Sequence, residues 1–364
     1  MHVGYSIFFQ NLGRRMSDRE VYAQELRLAR LAEPLGFESI WSTEHHFTDY
    51  LISPDVLQIL TYLAGCTEKV YLGSMVVVLP WHDPVRVAEQ VTLLDTLSGG
   101  RFILGLGRGL GRVEFEGLRV NMSDSRELFS EYAALLMEAL ETGVAEYEGQ
   151  FIRQPRREIR PAPFKSFSDR TYAATMSPDS MPILARHGLG ILVIPQKPWH
   201  EVEKDFAVYN TVFREANGRE APPPLASAFI LVDDNADRAA ELAHRYIGNY
   251  YHSVMEHYEL TAGHLANTRG YDFYHRVGQH IEKHGADKAA EQFVELMPFG
   301  TPEQVYEKIR FIHERIGNGG LTATLSYGSM PYDLAERNVR LFASEVLPEL
   351  KKFEVRAPAF ARSA

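Results

Sequence analysis

The chain has 364 residues, 45% hydrophobic and 24% charged, enough to bury one large α/β core or two smaller ones. Its net charge of −10, from 38 Lys and Arg against 48 Asp and Glu, argues against general nucleic-acid binding, which needs a basic face to replace phosphate counterions. A single cysteine, Cys66, excludes an internal disulfide and a Cys-rich metal site.

Short β-rich runs alternate with amphipathic helical stretches. A strand is predicted over 3–9 and a helix over 17–36, with Ser17 and Glu20 as a capping box and Gly36 closing the far end. Val21, Leu28, Leu31 and Leu35 form its apolar face. A second strand (37–41) runs straight into "EHHF". A helix follows over 53–67, with Ser53 as cap and Pro54 at its first position. Then come a third strand (70–80), a helix (83–100) and a fourth strand (101–107). Four βα units in strict alternation imply a parallel sheet. Further strands at 170–175, 189–194, 224–232 and 320–328 bring the total to eight, which favours a (β/α)8 TIM barrel over an open sheet. The stretch 147–165 reads as a hairpin and loop, with Arg153, Arg156, Arg157 and Arg160 as a solvated basic loop. Residues 261–300 form a long excursion before the last strand. With no repeat or low-complexity linker, 1–364 is expected to be a single domain. No run approaches the roughly 18 apolar residues of a membrane helix. The N-terminus "MHVGYSIFFQNLGRR" lacks a signal-peptide pattern, so the expected location is cytoplasmic.

In such a barrel, chemistry collects on the loops leaving the C-terminal strand ends. "TEHHF" (43–47) lies just after strand two, which directs its histidines to the barrel mouth. Adjacent residues rarely chelate one ion and no metal-motif spacing is present, so no metal is expected here. His280 and His284, one helical turn apart, carry no stronger metal signal. An imidazole at the mouth suits general base work. The alternative for His45 and His46 is a hydrogen bond to a neighbouring helix or a partner subunit.

"GLGRGLG" (105–111) fails both the G-x-G-x-x-G and the P-loop registers. What remains is a glycine-rich strand exit carrying Arg108. Arg126 follows at the start of a helix, and two arginines beside a helix N-terminus can hold a dianion. Either arginine could instead pair with Glu114, Glu116 or Glu127. In "TMSPDSM" (175–181), Ser177 reads as a helix cap with Ser180 three residues on, which serves a helix or a phosphate equally.

Taken in order, "GFESIWSTEHHFTDY", "LGSMVVVLPWHDPVRVAEQVTLLDTLSGGRF", "GRGL", "SRELF", "ARHGL", "TRGYDF" and "GTPEQ" resemble the bacterial luciferase-like flavin-dependent monooxygenases, and most closely their light-emitting alpha subunits. The resemblance implies a barrel that takes reduced FMN from a separate NAD(P)H:flavin reductase. Oxygen then adds to the flavin as a C4a-peroxide, which oxidises a small hydrophobic aldehyde, ketone or ring compound. It implies catalytic roles at His45, with His46 and Glu44 beside it, His46 also matching a position at a dimer interface. It implies cofactor contacts at Arg108, Arg126, Ser177, Ser180 and the Met176 backbone. Met75–Val76 matches a non-proline cis peptide beneath the flavin, and "TRGYDF" a mobile active-site lid within 261–300. Gly107 stands where the light-emitting subunit has a cysteine near the flavin, a change expected to remove a wall of the cavity. A homodimer through the helix at 83–97 is also expected. The competing readings are an F420-dependent oxidoreductase of the same fold and a non-catalytic flavin-binding subunit.

Overall fold

The computed structural model describes residues 1–362. Eight parallel strands close into the expected barrel: β1 (His2–Ile7), β2 (Ser39–Ser42), β3 (Tyr71–Ser74), β4 (Phe102–Gly107), β5 (Thr171–Ala174), β6 (Gly190–Val193), β7 (Leu225–Phe229) and β8 (Gly320–Thr324). Each pairs with the next, and β8 returns to β1 with His2 opposite Gly320 and Ser6 opposite Thr324. The helices run α1 (Asp18–Ala29), α2 (Val56–Ala64), α3 (Pro84–Leu97), α4 (Arg112–Leu118), α5 (Ser125–Thr142), α6 (Met181–Arg186), α7 (Trp199–Asn217), α8 (Ala236–His257), α9 (Asp272–His284), α10 (Ala286–Leu296), α11 (Pro302–Ile316) and α12 (Tyr332–Leu341). Most strand residues are buried, because helices cover the barrel outside and side chains fill it inside.

Several boundaries depart from the sequence reading, each for a local reason. The Ser17–Glu20 capping box forms, but α1 stops at Ala29 and the chain goes on to Gly36 in tight turns. Pro34 explains this, since it has no N–H and disfavours helix at Glu33. The cap of α2 is Asp55, which accepts from the Gln58 N–H. Ser53 is buried instead, 3.1 Å from the Thr43 hydroxyl. The third strand is interrupted at Ser74. Past the cis Met75–Val76 peptide, Val77 and Val78 pair with Leu106 and Gly107. The predicted strand 224–232 also divides, and Leu231–Val232 pairs with Phe299–Gly300 outside the barrel.

The expected hairpin forms, but Arg153, Arg156 and Arg157 lie on its second strand and only Arg160 falls in the loop beyond it. Arg153–Glu158 forms one strand of a hairpin with Val144–Glu148, its arginines exposed and Arg153 ion-paired to Glu148 at 2.7 Å. The excursion at 261–300 is largely helical, containing α9 and α10. His280 Nε2 bonds to the Gln292 side chain at 3.1 Å.

One buried ion pair ties α3 to the barrel. Arg170, just before β5, grips Asp95 through two nitrogens at 2.5 and 2.8 Å, and its remaining N–H groups donate to the carbonyls of Phe102, Lys165 and Ser166. Its guanidinium lies over Phe167 at 3.7 Å. With both oxygens and the planar fork engaged, this pair meets the condition under which a buried bridge holds its place.

Candidate active site

At the C-terminal strand ends lies a cavity of about 200 Å³ whose walls include His45, Met75, Gly107, Arg108, Arg126 and Tyr258. The β2 exit delivers His45 to it, and the β4 exit with the start of α5 delivers the two arginines.

The adjacent histidines are held by different carboxylates. Glu114, on α4, accepts from His45 Nδ1 at 3.0 Å and from the His46 backbone N–H at 2.9 Å. Its second oxygen faces His257 Nε2 at 3.3 Å, a close but imperfectly aligned contact. Burial alone would push the Glu114 carboxyl up, but His45 and His257 together outweigh it and bring the carboxyl down to about 2. Glu114 is therefore an anion that can only accept. That places a proton on His45 Nδ1 and leaves Nε2 as the nitrogen free to take up or release one. His257 is held below the ordinary imidazole range by burial. Its neutral ring directs Nε2–H to Glu114, and Nδ1 accepts from the Thr48 hydroxyl at 2.9 Å.

Glu44 organises the second set. One oxygen meets His82 Nε2 at 2.6 Å and His46 Nε2 at 3.2 Å, and the other accepts the Val78 N–H at 2.8 Å. Burial opposes ionisation here too, yet the bonds from His46, His82 and Val78 hold this carboxyl below its usual range. Burial also works against a charged His82, but Glu44 prevails and raises it. His46 packs against Trp81 and is not among the residues lining the cavity, whereas Glu44 and His45 are.

Neither arginine makes the pairing with Glu114, Glu116 or Glu127 that is the alternative for it. Arg108 Nη1 and Arg126 Nη2 both donate to the Gly270 carbonyl, at 3.0 and 3.2 Å, and Glu127 pairs with Arg269. Arg126 Nε is a buried donor with no partner. Two guanidiniums and an orphaned N–H on a cavity wall fit an anionic group such as a phosphate. Met176 and Ser180 line the same cavity. Ser177 does not: it is buried, its carbonyl accepting the Ser180 N–H at 3.1 Å. Nor is Ser177 the helix cap, because α6 begins at Met181 with Ser180 in the cap position. Pro178 offers no N–H and is most at home in the turn before a helix.

Met75 and Val76 form part of the wall through their cis peptide. The expected opening at Gly107 is not found. A Cβ there would lie 2.3 Å from Val76 Cγ2, so Val76 fills the space that a side chain at 107 would take.

The sequence offers Glu114 only as a possible ion-pair partner of an arginine, and its pattern does not mark His257 or Tyr258 as site residues. His257 ends α8, more than 200 residues from His45 in the chain. Its ring stacks on Tyr50 at 4.5 Å. The ligand-type atoms of His45, Glu114 and His257 lie within 4.8 Å of one another, close enough to hold a metal ion. The contacts at 3.0 and 3.3 Å also suit two imidazole–carboxylate interactions.

The sequence model of a family described as luciferase-like monooxygenase matches residues 1–318. The alkanal monooxygenase alpha chain of Photorhabdus luminescens is 26% identical over 342 residues, covering 93% of this chain and 94% of that one. The crystal structure of the monooxygenase RslO1 from Streptomyces bottropensis superposes with a TM-score of 0.78 at 25% identity, covering 96% and 100% of the two chains. Two others share the fold at lower identity. The oxygenating constituent of 3,6-diketocamphane monooxygenase from Pseudomonas putida, in complex with FMN, has a TM-score of 0.74 at 18% identity over 98% and 100% of the chains. A coenzyme F420-dependent tetrahydromethanopterin reductase from Methanopyrus kandleri has 0.67 at 19% over 96% and 99%.

Proposed function

This chain belongs to the luciferase-like monooxygenases, and from that premise we propose that it is a flavin-dependent monooxygenase. In this reading it uses reduced FMN, supplied by a separate NAD(P)H:flavin reductase, and O2 to oxidise a small hydrophobic organic substrate. One observation carries the reading: a single cavity is lined by an imidazole oriented by a buried carboxylate and by two anion-seeking guanidiniums.

When bound, reduced FMN supplies the electrons that activate O2 for insertion into the substrate. The protein's part follows from its own residues. Arg108 and Arg126 bind the phosphate, with Ser180 and the Met176 backbone beside them. Met75, Val76 and Gly107 shape the surface against which a flat ring rests. His45 takes up or returns a proton at Nε2, while Glu114 fixes its ring through Nδ1. Glu44 acts through His46 and His82 to hold the β2 exit in place. The aromatic wall of Trp81, Tyr250, Tyr258 and Tyr274 excludes water, which activated oxygen chemistry requires. The segment 261–300 serves as a lid over this cavity.

An F420-dependent oxidoreductase of the same fold is the second reading, favoured by the likeness to the F420-dependent reductase. A thermal-shift comparison of reduced FMN and F420 distinguishes the two, since the ligand that binds the folded chain raises its Tm. FMN is expected to raise it, and reduced FMN with a substrate panel to give substrate-dependent oxygen incorporation. A rise with F420 alone would transfer the assignment to the second reading. We also propose a two-fold dimer through α3: Val87, Val91 and Leu94 face the core, while Leu93 and Leu97 are 47% and 58% exposed on the outer side. A monomer in light scattering at micromolar concentration would count against it.

A further inference from the structure

A second cavity, of about 130 Å³, lies beyond the ends of β1 and β8, beneath α1. Phe8 lines both cavities and is the wall they share. The residue that distinguishes the second one is Glu25. It falls on the inward stripe of α1 with Val21 and Leu28, where helix periodicity calls for an apolar side chain. It is 2% exposed. Its Oε1 accepts the Ser326 hydroxyl at 2.8 Å. Its Oε2 has no aligned hydrogen bond, although the Tyr332 hydroxyl is a neighbour. The Tyr5 hydroxyl, also buried and without a hydrogen-bond partner, feels the same carboxyl.

A buried carboxyl with a bare oxygen calls for a donor, and a buried carboxylate calls for a cation. No cation among the described residues answers. Arg27 interacts with Glu25 at long range and is bound on the surface to Glu336, while Arg15, at the rim, is exposed. Most of the remaining lining is apolar or aromatic, including Phe8, Leu12, Val21, Tyr327 and Met330, with Gln10, Asn11 and Ser329 as the uncharged polar members. An anion would be repelled by Glu25 once it ionises, and the burial that holds its proton works against any ligand that cannot supply a countercharge. A divalent metal ion would find one carboxylate where it needs several oxygen ligands. An ammonium group offers three N–H donors and a charge that aromatic faces also attract.

We infer that this second cavity is a binding site for a small protonated alkylamine, its ammonium on Glu25 and its alkyl tail along Phe8, Val21 and Met330. The site is independent of the flavin reading, because none of its polar residues lines the first cavity.

The test is a thermal-shift and calorimetric titration of the flavin-free protein with n-butylammonium chloride, using n-butanol and sodium butyrate as neutral and anionic controls, at a pH of about 9, where Glu25 is ionised and an alkylammonium keeps its proton. Butylammonium is expected to raise Tm saturably and the controls are not. Glu25→Gln keeps the shape but not the charge, and should weaken butylammonium by about tenfold or more, the scale of a charge-assisted bond. Glu25→Leu should abolish it. Each variant's own melting curve is recorded first. Should Glu25→Leu fail to fold, Glu25→Gln and Ser326→Ala carry the test. Butanol binding as well as butylammonium, equal affinity in Glu25→Gln, or no saturable shift at tens of millimolar would each overturn the inference, the last by showing that the cavity takes water alone.

Discussion

Arg108 holds its guanidinium 4.0 Å from the centre of the Tyr271 ring and donates to the Gly270 carbonyl one residue earlier. Arg126 reaches the same carbonyl. A peptide oxygen carries partial negative charge, so the segment leading into α9 offers the two cations a weak version of what a phosphate would offer. Tyr271 is anchored in turn, its hydroxyl 2.9 Å from both Ser125 Oγ and the Gly109 carbonyl.

Removing either cation should weaken reduced-FMN binding. Charge-assisted hydrogen bonds are worth about 1.5–3 kcal/mol each, so Arg108→Ala and Arg126→Ala should each lose roughly one to two decades of affinity. Equilibrium titration under anaerobic conditions reads this directly. Unchanged affinity in both variants would dismiss the phosphate assignment.

The segment 261–300 should respond to the cofactor. Because Gly270 and a phosphate draw on the same two arginines, hydrogen exchange around 268–274 should change when FMN binds, with fewer protease cuts across the segment. Identical exchange with and without FMN would argue that this stretch is a fixed wall and not a lid.

His45 and His46 should separate cleanly. Loss of a general acid–base group costs about 10²–10⁴ in rate. His45→Ala should lose product per reduced FMN on that scale while still binding FMN, since both arginines are untouched. His46→Ala, which loosens Glu44 from outside the cavity, should cost more in stability than in chemistry. A chelator should leave the wild-type enzyme active. Coupled turnover surviving in His45→Ala, or activity lost to the chelator, would contradict these roles.

Glu25 gives a pH dependence with a definite sign. Burial raises its carboxyl from the ordinary 4.5 to about 8, against the opposing pull of Ser326, Tyr332 and Arg27. Between those values the folded chain keeps a proton that the unfolded chain has released, so stability falls as pH rises through that window. The gap caps the loss at about 5 kcal/mol. Relative to Glu25→Leu, the amine-free wild type should therefore lose Tm from pH 5 to pH 8. Parallel Tm–pH curves would show that Glu25 titrates normally.

The Asp95–Arg170 pair should be costly to break from one side. Arg170→Ala leaves Asp95 buried without its countercharge, a loss of about 3–5 kcal/mol, measurable as a lower urea midpoint. An apolar replacement of both residues should recover much of it. A single variant within 1 kcal/mol of wild type, by the scale of exposed pairs, would mean that water reaches the pair.

Much of the fold was legible because βα alternation is a local signal, read from runs of Val, Ile and Leu between caps and glycines. The barrel exits followed from it, placing His45, Arg108 and Arg126 around one mouth. What stayed hidden was set by contact between distant segments. Glu114 was visible as a charge, but nothing in the sequence joins it to His257 at the end of α8. Glu25 broke the apolar stripe of α1, a departure that was there to be noticed. The cap at Asp55 and the late start of α6 turned on where a proline falls, a matter of one or two residues that patterns resolve poorly.

Val76 and Gly107 bear on how this cavity can change. With the Val76 methyl 2.3 Å from where a Cβ at 107 would stand, the two positions are a single unit of variation: a side chain can be added at 107 only if one is cut back at 76. Each change alone is harmful or empty, while the pair moves the same bulk from one side of the cavity to the other. Libraries aimed at substrate range therefore have to vary 76 and 107 together, because a scan of single substitutions would record position 107 as intolerant and miss the pocket shapes that lie one compensated step away.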